Sequence, residues 1–342
     1  MTSPLSASGL TIPIIAAPMS GGPSTPAMVH AAARAGALGF LAAGYKTPDA
    51  IGSEISAVRS ASIPFGVNVF APNPVPVEPD AYRRYAEMVQ READRFGLTL
   101  AAHPVEDDDY FGAKIDLLLS EPVPFVSFTF GLPDDAVIRA LQAVGTTVIQ
   151  TVTSAAEAKL AADAAVDVLA VQSRQAGGHS GTFTPDRPPR PLPIGDLVAE
   201  ITSTVKLPVI AAGGLATADD VAEVLHAGAE AAMVGTVLLR ADESGASATH
   251  QAALTDPART ATVVTRAFTG RPARGLRNTF IDTYEAHAPL GYPAIHHLTS
   301  PLRKAAAAAG EPDLVHLWAG TGYRHATKES TTQILTHLAD RI

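Results

Sequence analysis

Eight short apolar runs alternate with Ala-rich amphipathic segments through the first 240 residues, and this alternation constrains the fold most strongly. Short apolar runs bounded by turn-forming residues are typical of buried strands, and helical patterns between them indicate parallel βα units. The predicted strands span residues 12–17, 38–42, 65–70, 125–130, 147–151, 166–172, 209–212 and 231–234. Because βαβ crossovers are right-handed, we predict that these units close into an α/β fold of the (β/α)8 TIM barrel type. A doubly wound open sheet is the alternative.

The chain is long enough for a large core, since 46% of its 342 residues are hydrophobic. Helical patterns between the predicted strands cover residues 27–35, 49–59, 81–96, 102–120, 134–144, 155–165 and 218–227. The βα rhythm stops near residue 240. We therefore predict a barrel over residues 1–240, a small lid subdomain over residues 241–300, and C-terminal helices over residues 301–342 that pack back on the barrel.

Composition excludes several classes of protein. A net charge of −9 without a basic run argues against nucleic-acid or anionic-membrane partners. The absence of cysteine excludes disulfides, thiolate metal sites, iron–sulfur clusters and a cysteine nucleophile. The histidines lack a zinc-binding spacing, so no metal is predicted. No apolar run reaches the roughly 18 residues of a membrane span, and the first residues lack a signal-peptide pattern. We expect a cytoplasmic protein without membrane association.

The loop after the sixth predicted strand combines two adjacent glycines with a histidine, in the sequence VQSRQAGGHSG of residues 171–181. Gly177 and Gly178 allow the backbone to approach a flat or anionic ligand closely. His179 carries the side chain that titrates near neutral pH. Because barrel active sites form at the carboxyl ends of the strands, we predict that His179 is catalytic. A structural or surface histidine is the alternative.

Glycine-rich turns follow the seventh and eighth predicted strands, at Gly213-Gly214 and at residues 233–236. Glycines there expose backbone N–H groups beside helix N-termini, where anions bind. Barrels commonly hold a phosphate at this position. The two turns therefore predict a phosphorylated cofactor. Other polar or unusual residues that follow strands or lie near their ends are Pro18, Met19, Asn68, Gln150, Thr151 and Gln172.

Six ordered motifs together resemble the nitronate monooxygenase family, formerly called 2-nitropropane dioxygenases. They are PIIAAPMSGG, FGVNVF, VIQTVTSAAEA, VQSRQAGGHSG, LPVIAAGGLATADDVAEVLHAGAEAAMVGT and AFTGRPARGLRN, with a weaker continuation at LWAGTG. The resemblance implies an FMN-dependent barrel that oxidises alkyl nitronates, such as propionate 3-nitronate, with O2 to carbonyl compounds and nitrite. The alternatives are an NAD(P)H-dependent flavin reductase of the enoyl-acyl-carrier-protein or quinone reductase type, and a non-catalytic FMN-binding protein. The oligomeric state stays open, with a homodimer as one option.

The resemblance also assigns residues to the cofactor. It implies that the backbone of the two glycine turns holds the phosphate and that amide side chains bind the ring or the ribityl chain. The implied FMN residues are Pro18, Met19, Asn68, Gln172, Gly177, Gly178, Gly213, Gly214, Met233, Val234, Gly235 and Thr236. His179 would take a proton from the carbon next to a nitro group, or hold the nitronate as an imidazolium. Local roles in a turn for Asn68 and in the core for Gln172 and Met19 are the alternatives.

The histidine loop departs from the pattern of many relatives, Gln-Gly-x-Glu-Ala-Gly-Gly-His-Arg-Gly. Gln175 replaces the acid and Ser180 replaces the arginine. We expect the loss of the carboxylate to remove a partner that would raise the histidine pKa. Further along, Arg271 and Arg274 in residues 269–275 either bind a substrate or nucleotide phosphate or belong to a hairpin turn, which is the preferred interpretation. The acidic run 106–109 is predicted to be a solvated helix start.

Overall fold

The computed structural model describes residues 4–7, 9–187 and 189–342. Eight parallel strands form a closed barrel, in which Ile14 of the first strand lies opposite Ala232 of the last. The barrel strands are β1 (Ile14–Ala16), β2 (Leu38–Ala42), β3 (Phe65–Ala71), β4 (Phe125–Phe130), β5 (Thr147–Val152), β6 (Val168–Gln172), β8 (Val209–Ala212) and β9 (Ala231–Val234). The predicted (β/α)8 barrel is confirmed.

Helices cover the outside of the barrel, and several begin at residues suited to a helix N-terminus. Thr25 and Ser154 cap their helices by accepting a backbone N–H three residues later, and Thr217 forms a capping box with Asp220. The helices are α1 (Pro4–Ala7), α2 (Pro26–Arg34), α3 (Pro48–Arg59), α4 (Pro79–Asp94), α5 (Phe111–Ser120), α6 (Asp135–Ala143), α7 (Ala155–Asp163), α8 (Ile194–Thr204), α9 (Ala218–His226), α10 (Ala248–Ala253), α11 (Thr279–Tyr284), α12 (Ala294–Ala309) and α13 (Thr331–Leu338).

Two helical segments differ from the sequence prediction. Helix α8 was not predicted, although Ile194, Leu197, Val198 and Ile201 recur at helical spacing and are all buried. The predicted helical segment 102–120 is helical only from Phe111 onward. The residues before Phe111 form an irregular, mostly exposed segment that runs over the carboxyl ends of the barrel strands.

A second hydrophobic core lies outside the barrel. It joins α4 to residues 239–323, with Tyr82, Tyr85, Phe268 and Phe280 among its buried side chains. A small antiparallel sheet belongs to the same region: β10 (Thr262–Thr265), β11 (Ala273–Leu276) and the two-residue strand β7 (Gly178–His179) in the order β10-β11-β7. Residues 266–272 connect β10 and β11 as the preferred hairpin interpretation predicted. The barrel and the outer region therefore meet at the histidine loop.

The C-terminal helices belong to different cores. Helix α12 runs through the predicted boundary between residues 300 and 301 and contributes to the outer core. Helix α13 packs against the barrel instead, where Ile334, Leu335 and Leu338 are buried. Within the described part of the chain, no helix is both long and apolar enough to cross a membrane.

Candidate active site

A cavity of about 690 Å³ opens at the carboxyl ends of the barrel strands and is covered by residues of the outer region. Its volume lies within the range of cofactor and substrate sites. The predicted site residues whose atoms line the cavity are Pro18, Met19, Asn68, Gln172, Gly177, Gly178, His179, Gly213, Gly214, Met233, Gly235 and Thr236. Val234 is the exception, because its side chain packs outward between the barrel and its helices.

The glycines of the site are required for different reasons. Gly213 and Gly214 have φ values of +102° and +82°, in the left-handed region that L side chains rarely adopt. At Gly177, a Cβ would lie 2.5 Å from the backbone nitrogen of Gly320, so close packing with a distant segment requires this glycine. At Gly178, with a φ of +76°, a Cβ would meet no protein atom within 4 Å. Gly178 therefore leaves open space in the cavity wall.

The two predicted amides make different contacts. Asn68 is buried in the middle of β3, and its Nδ2 donates to the hydroxyls of Ser127 and Thr129 on β4. Its Oδ1 has no hydrogen bond within the described residues. Gln172 closes the histidine loop instead, because its Oε1 accepts the Gly181 N–H at 2.7 Å and its Nε2 donates to the His179 carbonyl. Gln172 thus contributes to the shape of the loop as well as to the cavity wall.

His179 is held by the outer region. Strand β7 pairs with β11, which places His179 opposite Ala273. The imidazole Nε2 lies 2.9 Å from Thr269 Oγ1, and the rings of Phe130, Tyr292 and Trp318 surround the imidazole edge-on with ring centroids 5.4 to 5.7 Å away. The imidazole therefore sits in an aromatic enclosure with one polar partner.

The surroundings of His179 determine its charge and its tautomer. Burial, together with the nearby guanidinium groups of Arg271 and Arg303, lowers its pKa to about 3. The imidazole is therefore neutral at physiological pH, which disfavours the predicted imidazolium role. The Thr269 hydroxyl donates its single proton to the Arg271 carbonyl at 3.2 Å, so Nε2–H of His179 donates to Thr269 and Nδ1 is the ring atom able to accept a proton.

Gln175 does not lie beside the imidazole. Its side chain packs over Gly214, where a Cβ would be 2.9 Å from Gln175 Oε1. From the sequence we expect Gln175 to matter because it replaces a carboxylate beside His179. Since the Gln175 side chain lies over Gly214 instead, this replacement does not set the pKa of His179. Ser180 has a buried hydroxyl without a hydrogen-bond partner among the described residues.

Arginine, histidine and aromatic side chains form the wall of the cavity opposite the barrel, and sequence reasoning missed most of them. His296 stacks on Tyr45 with ring centroids 4.2 Å apart, and the two phenols of Tyr45 and Tyr292 meet at 3.4 Å. Arg303 and His316 line the same wall. Their helix and loop follow no strand, so only the tertiary fold brings them to the site.

Three other candidates have structural roles. Arg271 is fully buried, its guanidinium lies 4.2 Å from the Phe130 ring centroid, and it donates to the Thr182 carbonyl. Arg274 donates to the Arg174 carbonyl beneath the histidine loop. Gln150 lies outside the cavity wall and donates to the carbonyls of Gly131 and Thr151, whereas Thr151 lines the cavity.

The acidic run is not a simple solvated helix start. Asp109 turns inward and pairs with the buried Lys114 at 2.7 Å, and Asp107 pairs with His297 at 2.9 Å. Burial raises the pKa of Asp109 and lowers that of Lys114. Within the described residues, no group of three or more His, Cys, Asp or Glu side chains could hold a metal ion.

Comparisons with known proteins agree with this architecture. The family model described as nitronate monooxygenase matches residues 2–340. A probable nitronate monooxygenase of Staphylococcus aureus (strain Newman) is 35% identical over 337 residues, covering 96% of this chain and 94% of the relative. The structure of nitroalkane oxidase from Streptomyces ansochromogenes superposes with a TM-score of 0.93 at 44% identity, covering 98% of this chain and 97% of that chain. FabK from Thermotoga maritima shares the fold, with a TM-score of 0.76 at 24% identity and coverage of 99% and 95%.

A barrel with a histidine-bearing cavity at its carboxyl end, matched to these proteins over nearly its whole length, defines an oxidoreductase. The chain belongs to the nitronate monooxygenase family.

Proposed function

We propose that the protein uses FMN to oxidise alkyl nitronates with O2, giving carbonyl compounds and nitrite; propionate 3-nitronate is one such substrate. The observation that carries the proposal is the placement of His179 in the same cavity as the two glycine turns after β8 and β9. The full-length similarity to a nitroalkane oxidase at 44% identity supports the substrate class. Each nitronate needs one oxygen atom to become a carbonyl compound and nitrite.

The residues present fit a flavin. The free Oδ1 of Asn68 and the open space at Gly178 face a cavity large enough for a nucleotide cofactor and a small substrate. Gly213, Gly214, Gly235 and Thr236 would hold the phosphate, since backbone at glycine turns after the last barrel strands is suited to it. Pro18 and Met19 would line the ring. When bound, the flavin supplies the redox chemistry.

The chain's own residues bind and orient the substrate. Thr269 holds the His179 ring, so that Nδ1 accepts the proton of a neutral nitroalkane at the carbon next to the nitro group. A substrate that arrives as the nitronate needs no such transfer. The rings of Phe130, Tyr292 and Trp318 exclude water around the imidazole, which strengthens its hydrogen bond to Thr269.

The proposal is tested by mixing the purified protein anaerobically with ethyl nitronate and, separately, with NADH and NADPH while the flavin absorption is followed. We expect bleaching by the nitronate alone, with nitrite released after air is admitted. Rapid bleaching by a nicotinamide with no response to nitronate would move the protein to the reductase alternative. Protein that takes up no FMN would overturn the cofactor assignment.

A further inference from the structure

Arg303 is a buried cation for which the structure provides no carboxylate. It lies on α12, is 6% exposed, and lines the cavity. None of its hydrogen bonds in the described residues reaches a carboxylate. Burial lowers its pKa to about 10, so the guanidinium is still protonated at neutral pH. A buried charge without a counterion is costly unless a ligand supplies one.

The hydrogen bonds of Arg303 determine which ring nitrogen of His296 and of His316 carries the proton. Its Nε donates to Thr299 Oγ1 at 3.0 Å, one Nη lies 3.2 Å from Nδ1 of His316, and the other lies 3.2 Å from Nδ1 of His296. Because a guanidinium only donates, both Nδ1 atoms must accept. Each neutral imidazole therefore carries its proton on Nε2.

The two Nε2–H groups have no hydrogen-bond acceptor in the part of the chain that the structure describes. Neither Nε2 of His296 nor Nε2 of His316 makes a hydrogen bond to a described residue, and both side chains line the cavity. Burial and the neighbouring Arg303 charge lower the pKa of both imidazoles well below the usual range, so both stay neutral donors at physiological pH.

The carboxylates that line the cavity are already paired. Asp109 forms an ion pair with Lys114, and Asp107 contacts His297. Tyr45 and Tyr292, the other titratable groups that act on Arg303, are neutral because burial raises their pKa values. Among the described residues, the groups in contact with Arg303 are therefore neutral, and hydrogen-bond donors are in excess beside its guanidinium charge.

We propose that Arg303, His296 and His316 form a binding site for a planar anion with two oxygen atoms. Arg303 also donates to the His296 carbonyl at 3.0 Å, so its charge, its remaining N–H and the two flanking Nε2–H donors are what suit such an anion. The substrate offers this chemistry in two places, the nitronate group itself or a carboxylate elsewhere on the molecule. The choice of the substrate as ligand rests on the proposed function, whereas the capacity to bind an anion does not.

The test uses nitrate, a planar inorganic anion, and the fluorescence of Trp318. This is the one tryptophan in the sequence, and its ring lies 5.0 Å from that of His316. We expect nitrate to change the tryptophan emission of the purified protein saturably, while chloride at the same ionic strength has a much smaller effect. No saturable response to nitrate would overturn the proposal.

Variants identify the binding residues. Arg303→Gln should weaken nitrate binding at least tenfold, since a charge-assisted hydrogen-bonding partner is lost. Arg303→Lys keeps the charge and should weaken it less, and His316→Gln should weaken it about threefold to tenfold. Arg259→Gln is the control, because the Arg259 side chain is only 9% exposed but pairs with Asp256 and Asp313. Its nitrate affinity should stay within twofold of the parent protein.

If Arg303→Gln does not fold, Arg303→Lys and His316→Gln decide the question. Folded variants that bind nitrate as tightly as the parent would overturn the site.

The two possible substrate groups are distinguished by KM. An increase in Arg303→Gln for both ethyl nitronate and propionate 3-nitronate places the nitronate group at Arg303, whereas an increase for propionate 3-nitronate alone places the carboxylate there. Unchanged KM values for both would overturn the assignment of the substrate to this site. Arg303-dependent nitrate binding in a protein inactive on nitronates would support the anion site and refute the proposed function.

Discussion

The floor of the cavity and the wall that faces it are built from different chemistry. The floor consists of residues that lie in barrel strands or directly after them, mostly glycines and neutral polar groups such as Asn68 and Thr236. The opposing wall comes largely from residues 239–323 and carries the cation Arg303 together with His296, His316 and Trp318. His179 belongs to the barrel side in sequence but pairs with β11 of the outer region.

We infer from this difference that the floor and the wall recognise different ligands. Close approach of backbone and amide groups suits a large cofactor that is recognised by shape and hydrogen bonding. A charged, aromatic wall suits a small anionic substrate, whose recognition depends on charge. We therefore expect substitutions in the floor to change cofactor retention and substitutions in the wall to change substrate kinetics.

The largest effect is expected at His179, where floor and wall meet. His179→Gln should lower kcat/KM for a neutral nitroalkane about 10²- to 10⁴-fold, because the proton acceptor is lost. Steady-state nitrite release measures the effect. His226→Gln, on the exposed end of α9, is the control and should leave the rate unchanged. A His179→Gln enzyme with parental activity would show that His179 is a structural residue.

A smaller effect is expected at Thr269, which acts on the reaction through His179. Thr269→Val removes the acceptor of the Nε2–H and should lower kcat about 10- to 100-fold, as for other groups that orient a functional histidine. Thr269→Ser keeps the hydroxyl and should restore most of the rate with an unchanged pH profile. A loss in Thr269→Ser without one in Thr269→Val would mean that packing of the threonine methyl group, rather than its hydroxyl, is what matters.

The next prediction concerns Gly178 in the floor of the cavity, where we expect a smaller effect, on cofactor binding. Gly178→Ala places a methyl group in the open cavity and should weaken FMN binding about tenfold beyond the backbone strain of roughly 1 kcal/mol. Gly145→Ala is a matched control, because Gly145 also has a positive φ of +86° and no atom within 4 Å of the added Cβ, but it lies away from the cavity. Flavin titration measures both. Equal flavin affinities in the two variants would remove Gly178 from the cofactor site.

The weakest effect concerns the stability of the wall as pH falls. His179 and His250 have pKa values lowered by burial to about 3 and about 4. Below about pH 6.5 the unfolded chain binds protons at these histidines that the folded chain does not, so the free energy of unfolding decreases as pH falls. Each should contribute up to about 1.4 kcal/mol per pH unit between pH 6 and the folded pKa. Urea unfolding at pH 7 and pH 5 tests this, and His250→Phe should reduce the slope; an unchanged slope would show that His250 does not stay neutral in the folded protein.

Much of the barrel could be predicted because its strands are buried on both faces. The residues of β2 and β9, for example, form continuous runs without polar side chains, and such runs can be recognised in the sequence. The residues of the cavity floor could be predicted from the same pattern, since active-site residues of barrels lie at the carboxyl ends of the strands. The exception was Val234, whose side chain points outward because successive residues of a strand alternate between faces.

The amino-acid sequence by itself determined the order of βα units, the two glycine turns and the place of His179, because these depend on local periodicity and on residues adjacent in the chain. Only the tertiary structure decided that Arg303, His296 and His316 face the cavity, that Thr269 orients His179, and that the imidazole is neutral. These properties arise from burial and from contacts between segments far apart in sequence, such as the 90 residues that separate His179 from Thr269. Charge and tautomer depend on such neighbours.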